Sequence, residues 1–395
     1  MSEDRLRQAL REVEIPDRDG AEERALRMVR AAASQGSLGE RVARRPRFGR
    51  RGLQAAVAIG LIAALVSPAG AAVRHFVRDA VDDGQRPAQL ALTSLPTTGS
   101  LLVDSPRGPW VVHADGSKRL LGAYEESTWS PHGLYVAVTK GQELAAVDPE
   151  GEVRWTVARA GGMKDPAWSP DGFRIAYLSG RQLRVIAGDG SGDRALVDAV
   201  KRVAPAWAPG AGRSLSFVDS GGVVRTLSVD TGQQTSAVPA PPGTRRLEWS
   251  RDGSRLLVVA PGELQLRDRS GKLLWHDEAP RGAGFAAAAL SPSGRDVAAV
   301  VAAATGTRSE LLSLAPGEPP RRLFSGFGRL GEVVYSPDGR WLLLAWRSAD
   351  HWLFLNPADP RRVVAVSDVA AQFNPGATSP AAFPSVAGWC CPPDR

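Results

Sequence analysis

Cysteine is almost missing from this chain: there are two, adjacent, at Cys390 and Cys391. A disulfide framework and a thiolate zinc site are both excluded by that count. The pair remains a candidate redox pair, or a packing element of the last strand. Lysine is nearly as scarce, with Lys118, Lys140, Lys164, Lys201 and Lys272 the only five among 49 basic residues. The arginines that supply the rest, and the formal charge of +7, are scattered apart from one cluster near the N-terminus. A nucleic-acid reader should concentrate its charge on one element, so no nucleic-acid partner is expected. Only five histidines occur, His75, His113, His132, His276 and His351, none at metal-ligand spacing from another. No G-x-S-x-G elbow, P-loop or H-E-x-x-H is present either. Neither a metal, a cofactor nor a catalytic residue is therefore expected, and the chain reads as a non-enzyme.

What the chain does have is repetition. Trp-Ser-Pro-Asp-Gly or a decayed copy begins at Trp129, Trp168, Trp207, Trp249, Leu290 and Tyr335, with a truncated copy at Trp389. The spacings are 39, 39, 42, 41, 45 and 54 residues. A period of forty-odd residues matches one four-stranded propeller blade. Within the repeat at Trp168, Ser169-Pro-Asp-Gly172 suits a type I turn, because Pro presets φ and Gly is favoured at the fourth position. Residues 173–179 then alternate as a half-buried strand should, 182–187 form the next strand, 189–193 a hairpin turn, and 194–197 open the outer strand. A hairpin explains Asp189 and Asp193 better than a calcium loop does. The Trp before each turn is expected between blades, where burying ~150–250 Å² contributes ~4–6 kcal/mol gross. His132 replaces Asp in its copy and reads as a turn residue.

Six intervals separate Trp129 from Trp389. Residues 100–103, 110–113 and 119–121 supply three further strands, and 386–389 one more. Three plus one complete a seventh blade and remove the ring's open edges. An all-β, seven-bladed propeller over 95–395 is expected, with six blades as the alternative.

The repeats Trp168-Ser-Pro-Asp-Gly172, Tyr335-Ser-Pro-Asp-Gly339 and Trp129-Ser-Pro-His-Gly133, with weaker copies at 249–253 and 290–294, resemble the TolB-like propeller class. The resemblance covers roughly residues 100–395 and implies an interaction module of the cell envelope. Propellers of this class can precede a serine peptidase domain, which is not expected here because only six residues follow Trp389. Two segments, Asp148 to Trp155 and Asp268 to Trp275, look like the Asp-x-x-Gly-x-x-x-Trp docking repeats of quinoprotein propellers, which also serve purely structurally.

One long apolar run exists. From Gly52 to Val73 no residue is charged, and Leu53–Val73 at ~1.5 Å per residue spans roughly a 30 Å hydrocarbon core. Pro68 is expected to kink or end that helix. Arg41, Arg44, Arg45, Arg47, Arg50 and Arg51 precede it and favour a cytoplasmic N-terminus. Ala69-Gly-Ala71 resembles a signal cleavage site, but about fifty residues ahead of an apolar core is unusual for a cleaved signal, so an uncleaved signal anchor is expected. Before it, Leu6, Ala9, Leu10 and Val13 share one helical face, and Asp19 to Glu22 resembles a capping box opening a second helix. Residues 1–51 thus form a cytoplasmic segment with two short helices, 52–73 the anchor and 74–94 a stalk.

The expectation is a single-pass protein of the cell membrane whose extracytoplasmic propeller binds a protein or ligand of the envelope as scaffold or sensor. A transmembrane regulator of anti-sigma type, gripping a cytoplasmic partner through residues 1–51, is the second reading. A quinoprotein-like oxidoreductase or hydrolase is the third.

Overall fold

The computed structural model describes residues 92–210, 213–377 and 381–391. The two short helices expected in 1–51, the span at 52–73 and most of the stalk lie outside the described residues. Among the described residues no helix is long and apolar enough to cross a membrane.

Seven four-stranded antiparallel sheets make up the fold. The first blade runs Glu126–Trp129, Val136–Lys140, Glu143–Val147, Val153–Ala158, and the second Lys164–Trp168, Arg174–Ser179, Gln182–Ala187, Arg194–Val197. Four more follow over 206–239, 246–278, 283–327 and 333–366. The seventh is built from both ends: Ser385–Cys390 pairs with Ser100–Ser105, which carries Gly108–Val112 and Lys118–Leu120 outward. Every repeat copy ends or interrupts the first strand of its blade. Each first strand also touches the first strand of the next blade, and the contact runs unbroken through Ser385–Cys390 back to Glu126–Trp129. The first strands therefore line a closed inner ring, each paired only with the second strand of its own blade.

The turn motif explains why these residues fold so reproducibly. In five copies the motif serine is buried, and its Oγ accepts the N–H five residues on: Tyr135 at 3.0 Å, Arg174 at 2.9 Å, Arg255 at 3.0 Å, Asp296 at 3.0 Å and Trp341 at 2.9 Å. In three copies the hydroxyl proton goes to the motif aspartate, Asp171, Asp252 or Asp338, which also accepts the N–H two residues on. The motif glycine takes positive φ, +77° at Gly172, and its N–H closes the turn on the serine carbonyl at 2.9 Å. One side chain thus satisfies backbone groups that a tight turn would otherwise bury unpaired.

The hydrophobic core is divided rather than central. Seven apolar clusters form, one at each blade–blade interface; between the first and second blades Ala137, Leu144 and Ala146 meet Trp168, Ile175 and Tyr177. This corrects the expectation of a half-buried strand after the turn. Arg174–Ser179 is buried along almost its whole length, because a neighbouring blade covers each face. An alternation of exposed and half-buried residues appears instead in outer strands such as Val153–Ala158. The motif-position Trp168, Trp207, Trp249, Tyr335 and Trp389 are all buried, as expected of inter-blade packing. Trp207 Nε1 donates to Ala167 O of the preceding blade at 2.9 Å, and Trp249 Nε1 to Ser216 Oγ at 3.1 Å.

The longest interval holds one unforeseen element. Val369–Phe373 forms a single helical turn between the sixth blade and the closing strand. It plugs Phe373 against Trp352 (ring centroids 5.0 Å) and edge-on to Trp110 (5.9 Å). The turn thereby seals the outer side of the junction between the sixth and closing blades.

Candidate functional site

Two faces result from this topology. One carries the motif turns, and the other carries the loops that lead into each first strand. On the turn face a groove of about 730 Å³ opens between the first and second blades. That volume lies in the range of small-ligand and peptide sites. Its walls are Trp155 and Trp168, and its lips are Leu134, Tyr135 and Phe173, with Asp171 and Asp189 beside them.

Each wall has a local cause. Trp155 sits on the outer strand, where its Nε1 donates to Gly188 O of the second blade at 2.8 Å. A Cβ at Gly190 would run into the Trp155 ring, so the glycine lets the ring lie flat against the neighbouring hairpin. Upstream, Asp148 Oδ1 accepts from Glu150 N (3.1 Å) and Glu152 N (2.8 Å), and Oδ2 pairs with Arg154 at 2.6 Å. Asp268 binds Ser270 N and Lys272 N in the same way. The Asp-x-x-Gly-x-x-x-Trp segments thus serve as turn caps, with Trp155 as a brace between blades. Trp168 Nε1 is buried with no protein acceptor.

The lips carry charge that persists. Burial opposes the Asp171 carboxylate, but hydrogen bonds from Ser169, Phe173 N–H and Arg213 outweigh it and hold its pKa below the ordinary value. The Ser191 hydroxyl and N–H do the same for the exposed Asp189. Arg213 Nε donates to Asp171 Oδ2 at 2.9 Å and lies 6.0 Å from the Phe173 ring centroid.

A second recess of about 320 Å³ adjoins it, between the closing and first blades, and holds His113, His132, Trp129, Glu150 and the two cysteines. Cys390 and Cys391 form a vicinal disulfide at the end of the closing strand. Cys391 Sγ lies 3.1 Å from Pro131 O, so the pair rests on the motif turn of the first blade. A bond between sequence neighbours joins no two strands, and closure of the ring rests on the Ser385–Cys390 ladder. His132 is exposed at that turn.

On the opposite face the first-strand entrances carry a charged cluster. Arg202 reaches Glu126 Oε1 at 3.1 Å and Asp165 Oδ2 at 3.7 Å, and Asp165 N donates to Glu126 Oε2 at 2.5 Å. Lys164 pairs with Glu125. Burial, and then Glu126, raise the Asp165 pKa against the pull of Arg202 and Lys164. Nearby Asp104, bonded by Ser127 Oγ, is pushed up to about 6, chiefly by burial. Among the described residues no group of three or more His, Cys, Asp or Glu converges at metal-binding spacing. Asp193, far from forming a calcium loop, pairs with Arg159 and Arg184 and accepts the Tyr177 hydroxyl at 2.7 Å.

The groove escaped sequence reasoning, although a signal was there. In three later copies the residue after the motif glycine is polar: Ser254, Arg295 and Arg340. In the first two it is Leu134 and Phe173, which stand 61% and 66% exposed. A large apolar residue at a position that the fold leaves in water is the informative departure.

No family model matches the chain, and no curated protein does. Among solved structures, the chain is similar to Hsv2 of Kluyvelomyces marxianus, with a TM-score of 0.51 and 10% identity over 68% of this chain and 94% of that one. It is also similar to the hydrazine synthase of Kuenenia stuttgartiensis, with a TM-score of 0.49 and 16% identity over 58% of this chain and 75% of that one. At such identities the Hsv2 likeness speaks for the propeller fold alone.

Proposed function

We propose that this protein is a non-catalytic scaffold or sensor of TolB-like type, anchored in the cell membrane by residues 52–73, with its propeller outside the cytoplasm. The groove between the first two blades carries the reading. It offers aromatic walls, apolar lips and persistent carboxylates, the ingredients of a docking site. None of its groups forms a nucleophile–base pair, and the charged side chains around it are committed to turns and to each other. Binding is therefore the function that this geometry supports best.

Two experiments test it. A reporter active only outside the cytoplasm is fused after Arg395; activity supports the orientation, and a stably made but silent fusion reverses it. Intact protein is also co-purified from detergent beside a Trp155→Ala, Phe173→Ser double variant. A partner retained by the wild type and lost from the variant supports the docking role. Equal recovery from both removes the groove from it.

A further inference from the structure

The turn face differs from the opposite face in a second respect: the chain enters the propeller there. Leu95 N donates to Ala114 O at 2.8 Å, and Thr97 Oγ1 to Asp338 Oδ2 at 2.9 Å, both partners lying in turns of that face. Gly99 packs against Cys390 and Cys391 at the same end of the closing strand. Upstream, only residues 74–91 separate Leu92 from the uncharged run that ends at Val73. Eighteen residues reach at most about 60 Å even when fully extended. An anchored span therefore holds the propeller within about 60 Å of the bilayer at high effective concentration, with the tether joining it on the turn face.

Among the described residues, that face carries a cluster of exposed large apolar side chains. Leu134 and Phe173 protrude from successive blades on either side of one groove, with Tyr135 40% exposed beside them. Protruding Leu and Phe with a Tyr alongside are the side chains that enter a membrane interface. The neighbouring arginines are already engaged, Arg154 with Asp148 at 2.6 Å and Arg213 with Asp171 at 2.9 Å. Asp171 and Asp189 keep the rim from being basic. Such a rim has no surplus cation for anionic headgroups, so apolar insertion dominates.

We infer that the motif-turn face of the first two blades lies on the surface of the same membrane that anchors the chain, with Leu134, Tyr135 and Phe173 set into the phospholipid interface. The inference rests on the anchored reading above. It holds the disc flat on the bilayer and turns the charged first-strand entrances, with Glu126, Asp165 and Arg202, toward solution. Phospholipid is then the occupant of the groove's lips, and a soluble protein partner lost from the Trp155→Ala, Phe173→Ser variant overturns this placement.

The test uses the full chain reconstituted into phosphatidylcholine vesicles that contain a tagged phosphatidylcholine. Photoreactive benzoylphenylalanine replaces Leu134, Phe173 or, as control, Phe327, which is 66% exposed at the opposite face. Vesicle flotation is scored first and crosslinking second. Expected are lipid adducts at 134 and 173, none above background at 327, and no change when a fifth of the lipid is replaced by phosphatidylglycerol. Floating protein with no lipid adduct at 134 and 173 overturns the docking and leaves the anchor standing. A crosslinked dimer through those positions overturns it in favour of a second copy. Adducts that rise steeply with phosphatidylglycerol overturn the apolar basis. Protein that fails to float overturns the anchor and the docking together.

Discussion

Asp104 offers the sharpest measurement. It lies on the second strand of the closing blade, and its carboxylate accepts the Ser127 hydroxyl from the first blade, near Glu126. Burial, and to a lesser degree Glu126, raise its pKa from an ordinary 3.8 to about 6. The folded protein thus holds this proton about two powers of ten more tightly than the unfolded chain, about 3 kcal/mol at 1.36 kcal/mol per decade. Its surface is not fully shielded, and screening reduces the figure to about 1–2 kcal/mol. The sign follows from proton counting. Between pH 4 and 6 the native state binds the proton and the unfolded state does not, so this group's contribution falls as pH rises. Its stabilising effect is full below 3.8 and gone above about 6. Asp104→Asn keeps an oxygen acceptor for Ser127 and removes the charge. The variant should be more stable than wild type by about 1–2 kcal/mol at pH 7.5 and level with it near pH 4. Guanidinium unfolding followed by tryptophan fluorescence, at half-unit pH steps, gives the difference. A variant less stable at pH 7.5, or a difference that does not change with pH, refutes the argument.

Three further outcomes follow from the packing. Ser336→Ala removes a fully buried hydroxyl that accepts from Trp341 N and donates to Asp338, and should cost about 1–3 kcal/mol in the same unfolding assay. Gly253→Ala would press its new methyl onto the Pro209 carbonyl at a φ of +66°, whereas Gly232→Ala, at +71°, meets nothing within 4 Å. The first should therefore cost clearly more than the ~1 kcal/mol left-handed penalty expected of the second, as read from thermal midpoints. Replacing both Cys390 and Cys391 by Ser should change stability by less than about 1 kcal/mol, since a link between neighbours leaves the unfolded chain almost as free as before. A large loss would assign the pair a structural duty beyond the strand ladder.

Much of the architecture was legible because it is written locally. A turn needs its serine, aspartate and glycine within five residues, so each copy reveals itself wherever the chain goes next. Counting copies and leftover strands gave seven blades and the three-plus-one closure. Local reading failed where burial depends on neighbours. Nothing within residues 174–179 says that a second sheet will cover their outer face. The Val369–Phe373 turn is likewise too short to carry a helical period of its own, and its packing against Trp110 and Trp352 defines it.

The candidate site lies on the tertiary side of that division. Leu134 and Phe173 are 39 residues apart, and each alone reads as an ordinary apolar residue after a turn. Only the stacking of two blades puts them on one groove, with Trp155 braced beneath by a carbonyl 33 residues away. By itself the sequence decided which backbone segments become strands and turns, since those rest on φ preferences and hydrogen bonds within a few residues. The ring decided which side chains are left in water and which share a surface, because exposure belongs to the packed assembly of blades and not to any stretch of chain.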